Sequence, residues 1–563
     1  MSNPVYKLLL SFIFATHAFS AVAANNEAPY KDHSQDYSVN TLYALLVAEM
    51  AGQRQLFDVA LGNYLLEAHR TQDPGVAARA TQIAQYIGAH QAALDASSLW
   101  VKLDQYNPIA QQSLSLELVK ASRFSESTLH LQTALELDPA LNMSFISIQG
   151  DAMSEGARES WLQALTPLLA RHTKNTALLF NVASLHQLQK NNGKALELVD
   201  RLITQNQEYY PAWNLKARLH ARQGDVETAL SATLNALEHF KDDKAFTILK
   251  ARLLIKQKDI AQARDVFFEL TQRFPNDAHL LLPLALTQLE LQENAQAKAS
   301  LSHLLKLKQL QSEAHFYLGR IALHDKEIES ALNHFLNMEH GREYLAAQSS
   351  IVNIYLQQQN IQKALDHIHQ QRESDHTNQQ AYFLMEVELL NRTGQLEKSL
   401  QVLNTALTAY ADNTDLRYSR AMISEKLGDF VQLESDLSYI IDKNPKNATA
   451  LNALGYTLAD NTERLEEALK LIKQASIIAP KDPAIIDSLG WVYFRMGRLQ
   501  ESLKLLKQAY SRFPDAEVAA HLGEVLWTLG QQSEAREIWQ ESFIKQPKSQ
   551  ILKDTLERFK VSF

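Results

Sequence analysis

Small residues recur along this chain at nearly constant intervals, and this spacing constrains its fold more than any other feature. Successive positions are 33, 34 or 35 residues apart, and the bulkier Trp161 and Leu433 occupy two of the fifteen positions. The small residues are Ala60, Ala93, Ser127, Ala195, Ala229, Ala263, Ala297, Ala331, Ala364, Ser399, Ala468, Ser502 and Ala535. A spacing kept over fifteen positions predicts one structural unit repeated along a solenoid.

A period of 34 residues is typical of the tetratricopeptide (TPR) repeat, a pair of antiparallel helices with small residues where the two helices touch. The composition agrees, because helix-forming residues dominate and only 17 Gly and 14 Pro occur in 563 residues. One helix pair cannot bury its apolar stripe alone, whereas stacked pairs share a continuous core. The sequence therefore predicts an all-α fold, a TPR superhelical solenoid of about fifteen antiparallel helix pairs.

Glycine and proline mark the predicted helix crossings and helix ends. The segments DSLGWVYFRMG (487–497) and VAAHLGEVLWTLG (518–530) repeat the same glycine pattern. Gly490 and Gly523 are expected in mid-helix, where two helices cross too closely for a larger side chain. Gly497 and Gly530 are expected at the turn between helices, with positive φ. Prolines at one phase are expected to end second helices, namely Pro445, Pro480, Pro514 and Pro547.

The first 24 residues follow the pattern of a secretory signal peptide. One lysine precedes the apolar run LLLSFIFATHAF, and SAVAA then offers a cleavage site after Ala23 or Ala24. The alternative is a signal anchor that is never cut. Removal of Lys7 with this segment changes the net charge from -9 to -10. The chain has no cysteine, so we expect neither disulfides nor a lipid on cysteine, and we expect a periplasmic protein, peripheral to the outer membrane at most.

The remaining chain divides into four predicted segments. Polar residues 25–40 read as a flexible leader, and residues 41–175 as an N-terminal TPR-like arm. Its last unit, near 142–175, is the least regular, because Trp161 replaces the small residue there. Residues 176–549 are predicted to form the TPR superhelix, and 550–563 a capping helix.

Nothing in the sequence indicates catalysis, a cofactor, a metal or nucleic acid. A net charge of -9 does not suit a nucleic-acid surface. The nucleotide-binding, hydrolase and zinc-protease motifs are absent. His367 and His369 point about 200° apart on a helix, so they do not readily share a metal. The repeats leave no stretch for a separate enzyme domain, which argues against the alternative of a TPR-linked transferase.

The candidate binding residues are those that the repeat itself does not need. In a TPR first helix, positions 2, 5, 9 and 12 face the concave groove, and in the C-terminal units these include Met422, Glu425, Ala484 and Glu517. The predicted partner-binding residues are Tyr418, Asn452, Tyr456, Asp487, Trp491, Phe494, Glu524 and Trp527. Exposed aromatic side chains with a polar rim are typical of protein-binding hot spots. The alternative is that neighbouring units cover some of the aromatic rings.

Three segments resemble one family of exported TPR proteins. They are LYALLVAEMAGQRQLFDVALGNYLLEAHRTQDPGVAARATQIAQYIGA (42–89), LNALGYTLADNTERLEEALKLIKQA (451–475), and residues 487–539, which contain HLGEVLW. The chain is similar there to Gram-negative outer-membrane adaptors of periplasmic carboxyl-terminal processing proteases. The resemblance implies a non-catalytic scaffold that binds a serine protease and helps deliver substrates, among them cell-wall hydrolases. Lipoprotein members carry a cysteine after the signal, where this chain reads AVAANNEAP.

The sequence thus predicts a non-catalytic protein-binding adaptor or scaffold of the cell envelope. A carboxyl-terminal processing protease and its cell-wall hydrolase substrates are the partners that the resemblance implies. The alternative is a TPR scaffold for envelope polysaccharide export or cell-wall synthesis, because such machinery also uses long exported TPR arrays.

Overall fold

The structure, a computed structural model, describes residues 37–563 and contains 31 helices and no strands within that range. The chain separates into two compact units, which meet in sequence at Val266 and Phe267. The predicted signal peptide, residues 1–24, and most of the predicted leader lie outside the described residues. Among the helices of residues 37–563, none is long and apolar enough to cross a membrane.

The first unit contains six complete helix pairs and most of a seventh, whose second helix crosses the boundary at Val266. Its helices are α1 Val39–Gln53, α2 Phe57–Thr71, α3 Pro74–Ile87, α4 His90–Leu103, α5 Pro108–Lys120, α6 Phe124–Leu137, α7 Phe145–Ala152, α8 Glu155–Arg171, α9 Thr176–Leu188, α10 Asn192–Gln205, α11 Tyr210–Gln223, α12 Val226–His239, α13 Lys244–Lys256 and the first half of α14 Ile260–Arg273. The short α7 belongs to the unit that the sequence marks as irregular.

The second unit continues with eight more pairs and one unpaired helix. Its helices are α15 Ala278–Glu290, α16 Asn294–Leu307, α17 Gln311–His324, α18 Ile328–Leu336, α19 Tyr344–Gln357, α20 Ile361–Ser374, α21 Gln379–Arg392, α22 Leu396–Ala409, α23 Thr414–Leu427, α24 Phe430–Lys443, α25 Ala448–Asn461, α26 Leu465–Ile478, α27 Pro483–Arg495, α28 Leu499–Arg512, α29 Ala516–Thr528, α30 Gln532–Lys545 and α31 Gln550–Arg558. The prediction of an all-α solenoid of about fifteen helix pairs is confirmed.

The repeated small residues lie where the two helices of each pair cross. Every one of the fifteen positions, from Ala60 in α2 to Ala535 in α30, falls in a second helix and is 0% exposed. Trp161 and Leu433 are equally buried at the two bulky positions. The large ring of Trp161 packs against two aromatic rings, Phe124 in a stacked and Phe145 in a tilted arrangement. Each ring centroid lies 6.3 Å from that of Trp161. The spacing read from the sequence is therefore the spacing of the helix crossings.

The glycine pattern has the two structural causes that the sequence suggests. A Cβ on Gly490 would lie 2.7 Å from Leu506, and a Cβ on Gly523 would lie 2.0 Å from the indole nitrogen of Trp539. The helices of these pairs therefore approach too closely for alanine. Gly497 and Gly530 have φ of 76° and 81°, a left-handed conformation that glycine adopts without a steric penalty.

Capping residues position the first helices of many pairs. Asp or Asn side chains accept hydrogen bonds from backbone N–H groups at the start of α23, α25, α27 and α29, through Asn413, Asn447, Asp482 and Asp515. These bonds satisfy backbone donors that lack a partner within the helix. At the other end of the pair, α24, α26, α28 and α30 each end two residues before one of the four predicted prolines. Local sequence thus fixes where each helix begins and ends.

Each helix packs mainly on its neighbours along the chain. In most pairs the two helices contact each other, and second helices mostly contact the next first helix; the short α7 instead packs more on α9 than on α8. Helices α25, α27 and α29 also contact one another in succession. The last helix, α31, packs on α29 and α30 through the buried side chains of Leu552 and Leu556. The candidate site lies on the row of first helices just before α31.

Candidate protein-binding groove

The eight predicted binding residues lie on four consecutive first helices of the second unit. Tyr418 is on α23, Asn452 and Tyr456 are on α25, and Glu524 and Trp527 are on α29. The remaining three, Asp487, Trp491 and Phe494, are on α27. The structure brings three of the eight, Asn452, Tyr456 and Asp487, into the wall of one cavity.

This cavity, which we call the C-terminal cavity, has a volume of about 390 Å³. Seven of its lining residues are at positions that the repeat pattern assigns to the groove: Met422, Glu425, Asn452, Tyr456, Ala484, Asp487 and Glu517. The others are Ala453, Ser488, Phe513, Asp515 and Val518. The volume is within the range of small binding sites, and polar groups converge on a partly apolar wall.

A buried ion pair joins α27 to α29 at the base of the cavity. Asp487 and His521 are both nearly inaccessible to solvent, and Nδ1 of His521 lies 3.0 Å from Oδ2 of Asp487. Burial disfavours the charged form of His521, but the Asp487 carboxylate, with Glu517 and Glu524 nearby, raises its pKa above the usual value. The pair therefore favours the protonated form of this histidine behind an acidic wall.

The hydroxyl of Tyr456 extends this network across the cavity. It donates a hydrogen bond of 2.8 Å to Oε1 of Glu517, and it lies 3.4 Å from Nε2 of His521. Burial and the surrounding carboxylates raise the pKa of Tyr456 well above its usual value, so the hydroxyl stays a donor. One tyrosine thus bridges α25 and α29, two repeats apart.

Little positive charge offsets the carboxylates of the cavity. Burial is the main cause that raises the pKa of Glu425, and repulsion by Glu517 and Asp460 adds to it. Thr457 donates a hydrogen bond of 3.2 Å to Glu425. None of the residues that line the cavity in the described chain is lysine or arginine. The electrostatic potential of the cavity is therefore negative.

The expected exposure of Trp491 is wrong. Its side chain is 5% exposed, because its ring stacks on His521 at 4.0 Å between ring centroids. Its indole N–H donates a hydrogen bond of 3.0 Å to Asp460, and Phe494 lies against it at 5.1 Å. The neighbouring repeat covers Trp491, which is the alternative that the sequence left open. Its contribution is to packing between α27 and α29.

Glu524 and Trp527 are also engaged within the chain. Glu524 is buried and pairs with Arg558 of α31, and burial raises its pKa. The half-buried Trp527 lies 5.6 Å from Trp539 and 5.7 Å from Phe559. Tyr418 and Phe494 are likewise half-buried against the core. The stripe of exposed aromatic residues predicted on this wall is thus largely covered, and the binding role of the eight residues stays a prediction.

Sequence reasoning missed His521, Phe513 and Asp515. A usable signal exists for His521, because residues one period apart occupy equivalent places on adjacent first helices. Asp487 and His521 are separated by 34 residues, as are Glu524 and Arg558. Opposite charges one period apart therefore predict an ion pair between repeats. Phe513 and Asp515 lie in the turn before α29, which a rule about helix positions does not reach.

The two histidines considered for metal binding have other partners. His367 lies 2.7 Å from the amide oxygen of Gln348, and His369 lies 2.8 Å from Glu386. Over residues 37–563, no three His, Asp or Glu side chains are arranged to hold a metal ion. The TPR fold is typically non-catalytic and typically binds proteins.

The comparison with protein-family models agrees with this fold. Models of the tetratricopeptide repeat match residues 183–244, 220–282, 282–339 and 488–549. A solved tetratricopeptide repeat protein from Parabacteroides merdae covers 44% of this chain and 98% of its own, with 16% identity and a TM-score of 0.36. A chain of the APC/C hetero-tetramer Cut9-Hcn1 covers 92% of this chain and 96% of its own, with 15% identity and a TM-score of 0.34.

A relative in Pseudomonas aeruginosa is much more similar in sequence. This TPR repeat-containing protein is 38% identical over 488 residues, which cover 87% of this chain and 82% of the relative. The match extends over most of both chains, and the repeat models support it over residues 183–339 and 488–549. The chain therefore belongs to the family of tetratricopeptide repeat-containing proteins.

Proposed function

We propose that this chain is a non-catalytic adaptor of the bacterial envelope that binds a carboxyl-terminal processing protease and presents substrates to it, among them cell-wall hydrolases. The observation that carries the binding role is the C-terminal cavity, where four consecutive first helices and one turn converge. Asn452 and Glu517 point polar groups at this cavity although the helix pairs do not need them for packing.

The protease partner and the envelope location in this proposal are each supported by a separate feature of the sequence. Segments 42–89, 451–475 and 487–539 resemble envelope adaptors of processing proteases, and the most specific phrases lie on α25 and α29, which line the cavity. Export is supported by the charged, apolar and small-residue pattern of residues 1–24. Absence of cysteine supports a periplasmic protein without a lipid anchor.

The first test is capture of partners with a variant that fills the cavity. Ala484 is exposed on the first turn of α27 and lines the cavity, so Ala484→Trp blocks it without disturbing the core. Ala295→Trp makes the same change at an exposed position of α16, away from the cavity. Tagged mature chains would be expressed in the source organism, and proteins captured from the envelope would be quantified by mass spectrometry.

We expect the unchanged chain and Ala295→Trp to capture a processing protease, and Ala484→Trp to capture at least about tenfold less. We also expect the purified protease to cleave a cell-wall hydrolase faster when the chain is added. Equal capture by both variants would mean that the protease docks outside the cavity. Capture of polysaccharide-export or cell-wall synthesis components in place of a protease would replace the adaptor role by the scaffold role.

A further inference from the structure

The C-terminal cavity has a chemical character that the proposed function leaves unspecified. Glu425, Asp487, Asp515 and Glu517 line it, whereas His521, behind Asp487, is the nearest cation on the same wall. Two further cations lie nearby: Arg558 is paired with Glu524, and the charge of Lys426 acts on Glu425 from the next position of α23. Within the described residues, Glu425, Asp515 and Glu517 thus form no ion pair, and a ligand with positive charge would supply one.

A buried acceptor on the cavity wall also lacks a hydrogen-bond donor. The side-chain oxygen of Asn452 is inaccessible to solvent and has no partner in the described chain. Buried polar atoms are nearly always hydrogen-bonded, so such an atom on the wall of a cavity indicates a place for a donor. Guanidinium and ammonium groups carry several donors and no acceptor. The Asn452 oxygen, which lacks a donor, and the carboxylates, which lack an ion pair, therefore both favour a ligand that carries positive charge and N–H donors.

Apolar side chains complete the cavity and favour an organic cation over a metal ion. Met422, Val518 and the 55% exposed Phe513 offer an apolar surface beside the carboxylates. The aliphatic stem of lysine or arginine packs on such a surface, and its charged head is attracted to an aromatic face. A metal ion would gain nothing from these contacts, and residues 37–563 present no cluster of three metal ligands.

We infer that the C-terminal cavity binds a lysine or arginine side chain within a basic segment of a protein partner. The inference rests on the proposed protein-binding function and specifies the chemistry of the partner at that site. A volume of about 390 Å³ accommodates a short stretch of chain and not a folded domain. The charged head meets Glu425 and Glu517, and its stem lies against Met422 and Phe513. Its N–H groups donate to the Asn452 oxygen once that amide turns towards the cavity. Burial, with repulsion from Glu517 and Asp460, raises the pKa of Glu425, and a bound cation would offset both effects.

The test measures binding of short peptides to the purified mature chain by fluorescence anisotropy. Three fluorescein-labelled nonapeptides share a glycine–alanine–serine background and carry either two arginines and two lysines, four glutamates, or no charge. Glu517→Gln and Glu425→Gln each remove one charge from the cavity and keep the shape of the side chain. The matched control, Glu537→Gln, removes the same charge at an exposed position of α30. Circular dichroism would establish that every variant is folded, and the two cavity variants guard against misfolding of either one.

We expect the basic peptide alone to bind, with affinity that falls as salt is raised. Glu517→Gln and Glu425→Gln should each weaken it about tenfold, and Glu537→Gln should leave it within about twofold. Equal weakening by all three variants would overturn the inference, since it would reveal non-specific attraction to a negative chain. Binding of the uncharged or acidic peptide as tightly as the basic one would also overturn it. Capture of a protease blocked by Ala484→Trp, together with no binding of the basic peptide, would refute the basic segment and keep the adaptor function.

Discussion

At the scale of single residues, the buried pair of Asp487 and His521 makes the stability of the chain depend on pH. Tyr456 of α25, Asp487 of α27, and Glu517 and Glu524 of α29 face this histidine. Its pKa is raised in the folded state, so its contribution is fully present below the unfolded pKa of about 6.5 and is lost as pH rises through the higher folded pKa.

The change Asp487→Asn should reveal this dependence. We expect it to lower the free energy of unfolding by about 1.5–3 kcal/mol at pH 6, where it removes a hydrogen bond to a charged group. The loss should shrink as pH rises through the raised pKa of the folded state, because above it the histidine is neutral in both proteins. Urea unfolding at several pH values measures it. The matched control is Asp325→Asn, which breaks the exposed pair with His324 and should show little change at any pH. A loss that does not vary with pH would contradict the prediction.

A second prediction concerns the close helix crossing at Gly523. The change Gly523→Ala should destabilise the chain by about 1–3 kcal/mol, because the new methyl group overlaps the Trp539 ring. Gly62 in α2 is a helical glycine with no atom within 4 Å of its absent Cβ, so Gly62→Ala should stabilise by up to about 1 kcal/mol. Thermal unfolding of both variants checks the signs. If both changes stabilise, helix propensity and not close packing dominates at Gly523.

At the scale of elements, the last helix protects the apolar end of the final pair. Leu552 of α31 is fully buried against a cluster that contains Leu526 and Trp539. We expect Leu552→Ala to cost about 2–5 kcal/mol and to speed hydrogen exchange in α29, α30 and α31. Ile544→Ala removes an exposed aliphatic side chain from α30 and should change stability by less than about 0.5 kcal/mol. Unchanged exchange in Leu552→Ala would mean that α31 does not hold the final pair together.

Elements also show how far the sequence alone can lead. The helix pairs follow from it because one buried position per second helix repeats every 33–35 residues, as at Ala60 and Ala535. The sequence predicts the residues of the C-terminal cavity only in part. Positions such as Asn452 and Tyr456 do line the cavity, but Trp491 is covered by His521 of the next repeat. A rule for one repeat cannot state how closely its neighbour packs, and that distance decides which groove residues stay open.

At the scale of the whole molecule, contacts between neighbours make stability a sum of local terms. Trp161 in the first unit and Trp539 in the second are both fully buried. Each change to alanine should cost about 3–5 kcal/mol, and the double variant should equal the sum within about 0.5 kcal/mol. Hydrogen exchange resolved along the chain should accelerate only around the changed residue. Acceleration in both units from a single change would contradict this picture.

The hydrogen bond between Tyr456 and Glu517, which are 61 residues apart, affects the order in which parts of the chain can fold during synthesis. Most contacts between helices join chain neighbours, so a repeat can fold soon after the following one has emerged from the ribosome. The C-terminal cavity cannot form this early, because it needs both α25 and α29, and α29 is made two repeats after α25. A half-made chain would thus have much of its solenoid but an incomplete C-terminal cavity, so the proposed partner site would form among the last steps of folding.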